Sequence, residues 1–291
     1  MSSAVQRLLD LRKIDGFEDA ELADLTALAE NVSERSFEPG VLVAGAHART
    51  AAIHIVLDGR LTAPSGRSWG PGEVCGSLEA MGQRRMREDV FAEDRTRTLQ
   101  LSAVAFREIL EDNYGLLTSV RRALGRQLQD LPVTFDTFDV PEPVGPQPLG
   151  MVERLMLLRR RMPFGKGRIE ALAALAQAAK EVRLPANAEI AVVGDAVTDT
   201  LVLLEGRVRV TRGGTTVVVG AGYVVGSREA IAELPHQTTC VALTPIRALC
   251  CPSSVMFDVL EDHTDLALSM IESLAAALVD AGAARPSLDL N

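Results

Sequence analysis

Aromatic side chains are scarce in this chain: one Trp, two Tyr and eight Phe make up 4% of its 291 residues. The interior must therefore be built from Leu, Val, Ile and Ala, which dominate an apolar content of 47%. Positive charge is also short, with 30 Lys and Arg against 39 Asp and Glu and a net charge of −9. Such a balance disfavours nucleic acid and anionic membrane as partners. No uninterrupted apolar run approaches the roughly 18–20 residues of a membrane span. The opening Met1-Ser2-Ser3-Ala4-Val5-Gln6-Arg7 has no apolar core of a secretion signal.

Chemistry-bearing residues are equally sparse. The four cysteines, Cys75, Cys240, Cys250 and Cys251, have no metal-ligand spacing, and Cys250-Cys251 sits in an apolar run that predicts buried thiols. His47, His54, His236 and His263 are scattered. Gly165-Lys166 lacks the flanking residues of a phosphate-binding loop, with Arg160 at the first-glycine position and Gly167 at the hydroxyl position. These absences predict a cytoplasmic protein that is not an enzyme and has no metal site.

What the chain does have is internal similarity. Gly72-Glu73-Val74-Cys75-Gly76-Ser77-Leu78-Glu79-Ala80 returns as Gly222-Tyr223-Val224-Val225-Gly226-Ser227-Arg228-Glu229-Ala230, identical at six of nine positions with an offset of 150. Leu110-Glu111-Asp112 matches Leu260-Glu261-Asp262 at the same offset. Earlier in each half the offset is 147, carrying Val5, Arg7, Leu8, Leu11, Arg12 and Phe17 onto Val152, Arg154, Leu155, Leu158, Arg159 and Phe164. Gly59-Arg60 and Gly206-Arg207 share that offset. Matches in one order with a small drift predict two copies of one domain, and the length suits two cores.

Each half opens with a helical stripe, Leu22, Leu25, Leu28 and Ala29 in one and Ile169, Leu172, Leu175 and Ala176 in the other. Short β-type runs punctuated by Gly, Pro and Asn follow. Asp58-Gly59, Glu205-Gly206 and Arg212-Gly213-Gly214 predict tight hairpin turns. Gly40 and Asn187 fall at equivalent points and predict a shared left-handed turn. Both halves close on apolar stripes, Leu116, Leu117, Val120, Leu124, Leu128 and Leu131, then Leu266, Met270, Leu274 and Leu278. The predicted boundaries are 1–131, a proline-rich linker at 132–150, 151–283 and a tail at 284–291. Five prolines argue against regular structure in the linker, which Phe135 and Phe138 would dock. Leu117, Leu124 and Leu131 have heptad spacing, a candidate seam for a partner helix or a homodimer, with packing on the chain's own barrel as the commoner alternative.

Helix, a run of short strands with Gly-rich turns and a closing helix, together with the wording of Val56-Leu57-Asp58-Gly59-Arg60-Leu61, the Gly72–Met81 segment and their second copies, resemble cyclic-nucleotide-binding domains. The resemblance implies an α+β fold of two tandem jelly-roll-like β-barrels, each flanked by N- and C-terminal helices. It implies a phosphate-binding cassette in each, where a short helix, an arginine and a glutamate hold the cyclic nucleotide. The cassettes depart from that pattern. Gly76-Ser77 and Gly226-Ser227 stand where the family has Gly-Glu, and helix N-capping is the more ordinary role for Ser77 and Ser227. Glu79 and Glu229 lie two residues further on. Met86 falls at the phosphate arginine, between Arg85 and Arg87, either of which a one-residue register shift would restore. Glu88 and Asp89 would repel a phosphate. In the second copy His236 replaces the arginine, ahead of Thr238 and Thr239, and a solvent-facing loop histidine is its ordinary reading.

Two functions stay open. One is a regulatory or adaptor protein that works through protein partners with ordinary cyclic AMP binding weakened or lost. The other is a sensor of a cyclic nucleotide or cyclic dinucleotide that signals through its terminal helices. A transcription factor is disfavoured by the acidic balance and by the absence of a helix-turn-helix after the last helix.

Overall fold

A computed structural model describes residues 4–14, 17, 20–138, 147–160, 164 and 167–284. Gly165-Lys166, residues 139–146 of the proline-rich linker and the tail beyond 284 lie outside the described residues.

In the N-terminal half α1 (Ala4–Leu11) and α2 (Leu22–Asn31) precede β1 (Ser33–Phe37), β2 (Leu42–Ala44), β3 (Ala52–Asp58), β4 (Leu61–Thr62), β5 (Ser68–Trp69) and β6 (Val74–Cys75). The short helix α3 (Ser77–Met81), β7 (Val90–Ala92) and β8 (Thr96–Ser102) lead into α4 (Ala103–Asp112) and α5 (Tyr114–Leu128). The C-terminal half repeats the order. It runs α6 (Met151–Arg160), α7 (Ile169–Ala178), β9 (Lys180–Leu184), β10 (Glu189–Ala191), β11 (Asp199–Glu205), β12 (Val208–Arg212), β13 (Thr215–Val219) and β14 (Val224–Val225). Then come α8 (Ser227–Ala232), β15 (Thr239–Ala242), β16 (Ile246–Pro252), α9 (Ser253–Asp262) and α10 (Thr264–Ala284).

The strands form four antiparallel sheets in two matching pairs. The orders β1-β8-β3-β6 and β2-β7-β4-β5 in the first half correspond to β9-β16-β11-β14 and β10-β15-β12-β13 in the second. This is the α+β, jelly-roll-like architecture that the sequence predicts. The step in offset from 147 to 150 also has a structural location. The β4–β5 hairpin closes over two residue pairs, whereas β12–β13 closes over five. Gly213 and Gly214, both at positive φ, make that turn. Gly40 and Asn187 likewise share positive φ, and their N–H groups donate to Ala92 and Ala242 at equivalent places.

Three expectations need correction. Asp58-Gly59 and Glu205-Gly206 are not hairpin turns, because β3 and β4, like β11 and β12, belong to different sheets. Glycine is required there by a close approach instead: a Cβ on Gly206 would lie 2.5 Å from the Pro245 carbonyl oxygen. The linker is not wholly irregular, since Val133–Asp136 forms a 3-10 turn. It docks through main chain, Phe138 N–H donating to Gly222 at 3.1 Å and Thr137 bridging Tyr223. Leu117, Leu124 and Leu131 are buried within the chain, so they offer no exposed seam.

Two compact units emerge. One comprises Met1–Ala123 with Ile271–Asn291, the other Leu124–Met270. The divisions fall inside α5 and α10, not in the proline-rich segment. The first barrel is filled by Val56, Leu61, Cys75, Met86, Val90 and Ala92, the second by Leu203, Val208, Val210, Tyr223, Val225, Cys240 and Ala242 among others. Among the described residues no helix is long and apolar enough to cross a membrane, and no His, Cys, Asp and Glu cluster could hold a metal ion.

Candidate functional site

Both cassettes begin with a glycine in the left-handed region, Gly76 at φ 83° and Gly226 at φ 77°. Each is the N-cap of its short helix, and Ser77 and Ser227 are the first helical residues, with no side-chain cap at either. The capping role expected for the serines therefore passes to glycine, which alone meets both the positive φ and the crowding. A Cβ on Gly76 would stand 3.2 Å from Thr50 Cγ2 and 3.3 Å from the Ala52 carbonyl.

In the first cassette Met86 occupies the position where the resemblance places the phosphate arginine. Its side chain is 3% exposed and packs in the barrel core against Val56, Leu61, Cys75, Val90 and Ala92. Main-chain bonds fix it: Met86 N–H donates to Ala48 at 3.1 Å and its carbonyl accepts from His47 N–H at 2.8 Å. The same pair of main-chain bonds holds His236 in the second half, and the flanking arginines are engaged elsewhere. Arg85 donates to the His47 carbonyl at 2.6 Å. Arg87 donates to the Val279 carbonyl and lies 3.9 Å from Asp280. Glu88 accepts from Ser65 N–H and Oγ, and Asp89 accepts from Ala46 N–H at 2.6 Å.

Glu79 is buried in α3, its carboxylate 3.9 Å from the Arg67 guanidinium, which itself lies 4.9 Å over the Trp69 ring. Burial, with the Glu79 charge added, pushes the Cys75 thiol up to about 12. Burial likewise lifts Cys240 and Cys250 to about 11. These thiols are protonated at neutral pH and unsuited to nucleophilic work.

The second cassette differs. His236 is not the solvent-facing residue that the sequence suggests: it is 7% exposed, and its ring Cε1 would be 3.1 Å from a Cβ on Gly226. Main-chain bonds with Gly194 and Asp195, each 2.9 Å, hold it there. Its Nδ1 is buried without a hydrogen-bond partner, a state that costs about 1–3 kcal/mol unless something fills it. Glu229, also buried, accepts from Gln237 N–H at 3.2 Å. Thr238 Oγ1 lies 3.7 Å from Cys240 Sγ, and Thr239 opens β15. The structure thus brings Gly226, Ser227, Glu229 and His236 together at α8, and Gly76, Ser77 and Glu79 at α3, while Thr238 turns to Cys240 and Thr239 pairs with Thr211 of β12. It turns Arg85 and Arg87 to carbonyls.

Sequence reasoning missed Arg228. Its buried guanidinium donates to the carbonyls of Leu128 at 3.0 Å and Leu131 at 2.7 Å, and to those of Pro132 and Val133. It also missed a trio present in both halves. Arg97 lies 3.0 Å from Glu34 and 3.9 Å from Asp58, and Arg247 lies 2.6 Å from Glu181 and 2.9 Å from Glu205. The Arg247 hydrogen bond holds Glu181 below the usual carboxylate range. Arg121 of α5 is also buried.

Comparison with known proteins agrees with the fold. A family model described as "Cyclic nucleotide-binding domain" matches residues 181–263, the segment from β9 to α9. No curated protein matches the chain. Among solved structures, it is similar to the regulatory domain of Toxoplasma gondii PKA crystallised with cAMP, at 15% identity and TM-score 0.37 over 98% of each chain. A second is the regulatory subunit of a cAMP-independent protein kinase A from Trypanosoma brucei, at 16% identity and TM-score 0.37, covering 99% of this chain and 93% of that one. The corresponding Trypanosoma cruzi subunit bound to guanosine shows 15% identity and TM-score 0.34, covering 97% and 95%.

Proposed function

We propose that this chain is a non-enzymatic, cytoplasmic regulatory protein of two cyclic-nucleotide-binding-type halves, acting through protein contacts, with ordinary cyclic AMP binding lost from the first cassette and weakened in the second. The observation that carries this reading is Met86. An apolar side chain sealed into the barrel core at the arginine's position offers a phosphate neither charge nor a donor, and a desolvated phosphate needs both. Contact with a protein partner draws support from the helices that open each half. Val5, Leu9 and Leu22 are exposed, and so are Val152, Met156 and Ile169, the same three positions 147 residues later. Scattered apolar exposure is ordinary, but the same triple kept in both halves points to use.

Calorimetric titration with cyclic AMP, cyclic GMP and cyclic di-GMP tests the proposal. The expected result at pH 7 is no micromolar binding at the first cassette. Installing the family pattern by Ser77→Glu with Met86→Arg should create a binding event that the natural chain lacks. Micromolar binding to the natural chain that is lost on replacing Arg85 and Arg87 would refute the reading.

The second cassette keeps the sensor reading alive, on the buried, unpartnered Nδ1 of His236 beside Gly226. Imidazole pairs with phosphate best when protonated. Micromolar binding that His236→Leu abolishes would assign a ligand to this cassette alone.

A further inference from the structure

Each cassette packs against a terminal helix, and the pairing is crossed. In the unit containing α3, Gly82 meets α10 so closely that a Cβ there would stand 2.6 Å from Ala276 N and 2.8 Å from its Cα. In the unit containing α8, a Cβ on Gly125 of α5 would stand 2.6 Å from Ala232 N and 2.8 Å from its Cα. Residues 82 and 232 are equivalent at the offset of 150, as are 125 and 275, the neighbour of Ala276. One contact therefore occurs twice, with the glycine on the cassette in the first instance and on the helix in the second. At either place backbone approaches backbone, so a larger residue has nowhere to go.

Polar bonds fasten both contacts. On the first, Arg84 pairs with both oxygens of Asp280 at 3.2 and 2.6 Å, and Gln83 donates to Glu272 at 2.8 Å. The pairing pulls Asp280 below the usual carboxylate range. On the second, Arg228 holds the carbonyls at the end of α5. The helix that follows the N-terminal half thus covers the C-terminal half's cassette, and the helix that follows the C-terminal half covers the N-terminal half's cassette.

We propose that the two halves exchange their terminal helices, so that each cassette is gated by the helix that follows the other half. Whatever displaces one lid, ligand or protein, moves a helix rooted in the other half, so the halves respond as one switch. This does not depend on whether either cassette takes a ligand.

The test uses the full chain with a protease site placed within residues 139–146 and Cys250, the one partly exposed thiol, changed to Ser. Gln83→Cys and Glu272→Cys are bridged by a short bis-maleimide, and the linker is then cut. A denaturing gel should keep both halves in one species near the intact 31.2 kDa, while the cut chain without the two new cysteines falls into two fragments. The cut but unbridged protein should still elute as one particle under native conditions. Two fragments despite the reagent, or halves that separate on native sizing, would overturn the proposal. So would a concentration-dependent species of twice the mass, which would place the exchange between molecules.

Discussion

Replacing Arg228 by Leu, the residue at the equivalent position 78, should destabilise the protein by about 3 kcal/mol, reckoned as follows. The side chain is buried, and its guanidinium serves four carbonyls, that of Leu128 at the end of α5 and those of Leu131, Pro132 and Val133 just beyond it. A hydrogen bond to a charged group contributes roughly 1.5–3 kcal/mol, and such bonds on one group do not add. The negative end of the helix dipole favours a cation there by up to about 2 kcal/mol. Against these stands the desolvation of the guanidinium, several kcal/mol, which the substitution relieves. Leucine restores apolar packing but takes the guanidinium donors from the carbonyls of Leu131, Pro132 and Val133, so the loss prevails. A change of 3 kcal/mol corresponds to a fall in Tm of roughly 6–12 °C for a unit of this size. Thermal unfolding followed by circular dichroism measures it, with Arg228→Lys expected to lose less because the charge remains. A fall under about 2 °C for Arg228→Leu would refute the assignment of Arg228 as the cap of α5.

Two further outcomes are expected. Arg247→Ala should cost about 3–5 kcal/mol and Arg97→Ala under about 1 kcal/mol by urea unfolding, because the Arg247–Glu181 pair is largely buried, with Arg247 3% exposed, whereas Arg97 is 49% exposed. Stability should also fall as the pH drops from about 6.5 to about 4, since burial, with the Arg35 charge added, lowers His54 to about 4. In that window the unfolded chain binds the proton and the folded chain does not, so His54 alone removes up to about 3 kcal/mol, and His54→Leu should flatten that part of the profile.

The sequence by itself determined the doubling of the chain and the helix–strand–helix succession in each half, though not which strands pair across Gly59 and Gly206. Gly40, Asn187, Gly76 and Gly226 mark left-handed positions that few other residues tolerate, a local demand that makes no reference to distant parts of the chain. It also made Met86 and His236 equivalent by simple counting, and the matching main-chain bonds of the two residues agree. Only tertiary structure decided which way Arg85 and Arg87 turn, because a loop arginine goes to whichever carbonyl or carboxylate the fold brings near. The burial of His236 is of the same kind, fixed by Gly194 and Asp195 some 40 residues earlier in the chain. The crossed lids lay furthest from view. A leucine stripe reports that a helix face is buried but not which surface buries it, and the Gly–Ala contacts that settle the partner join residues more than 100 positions apart.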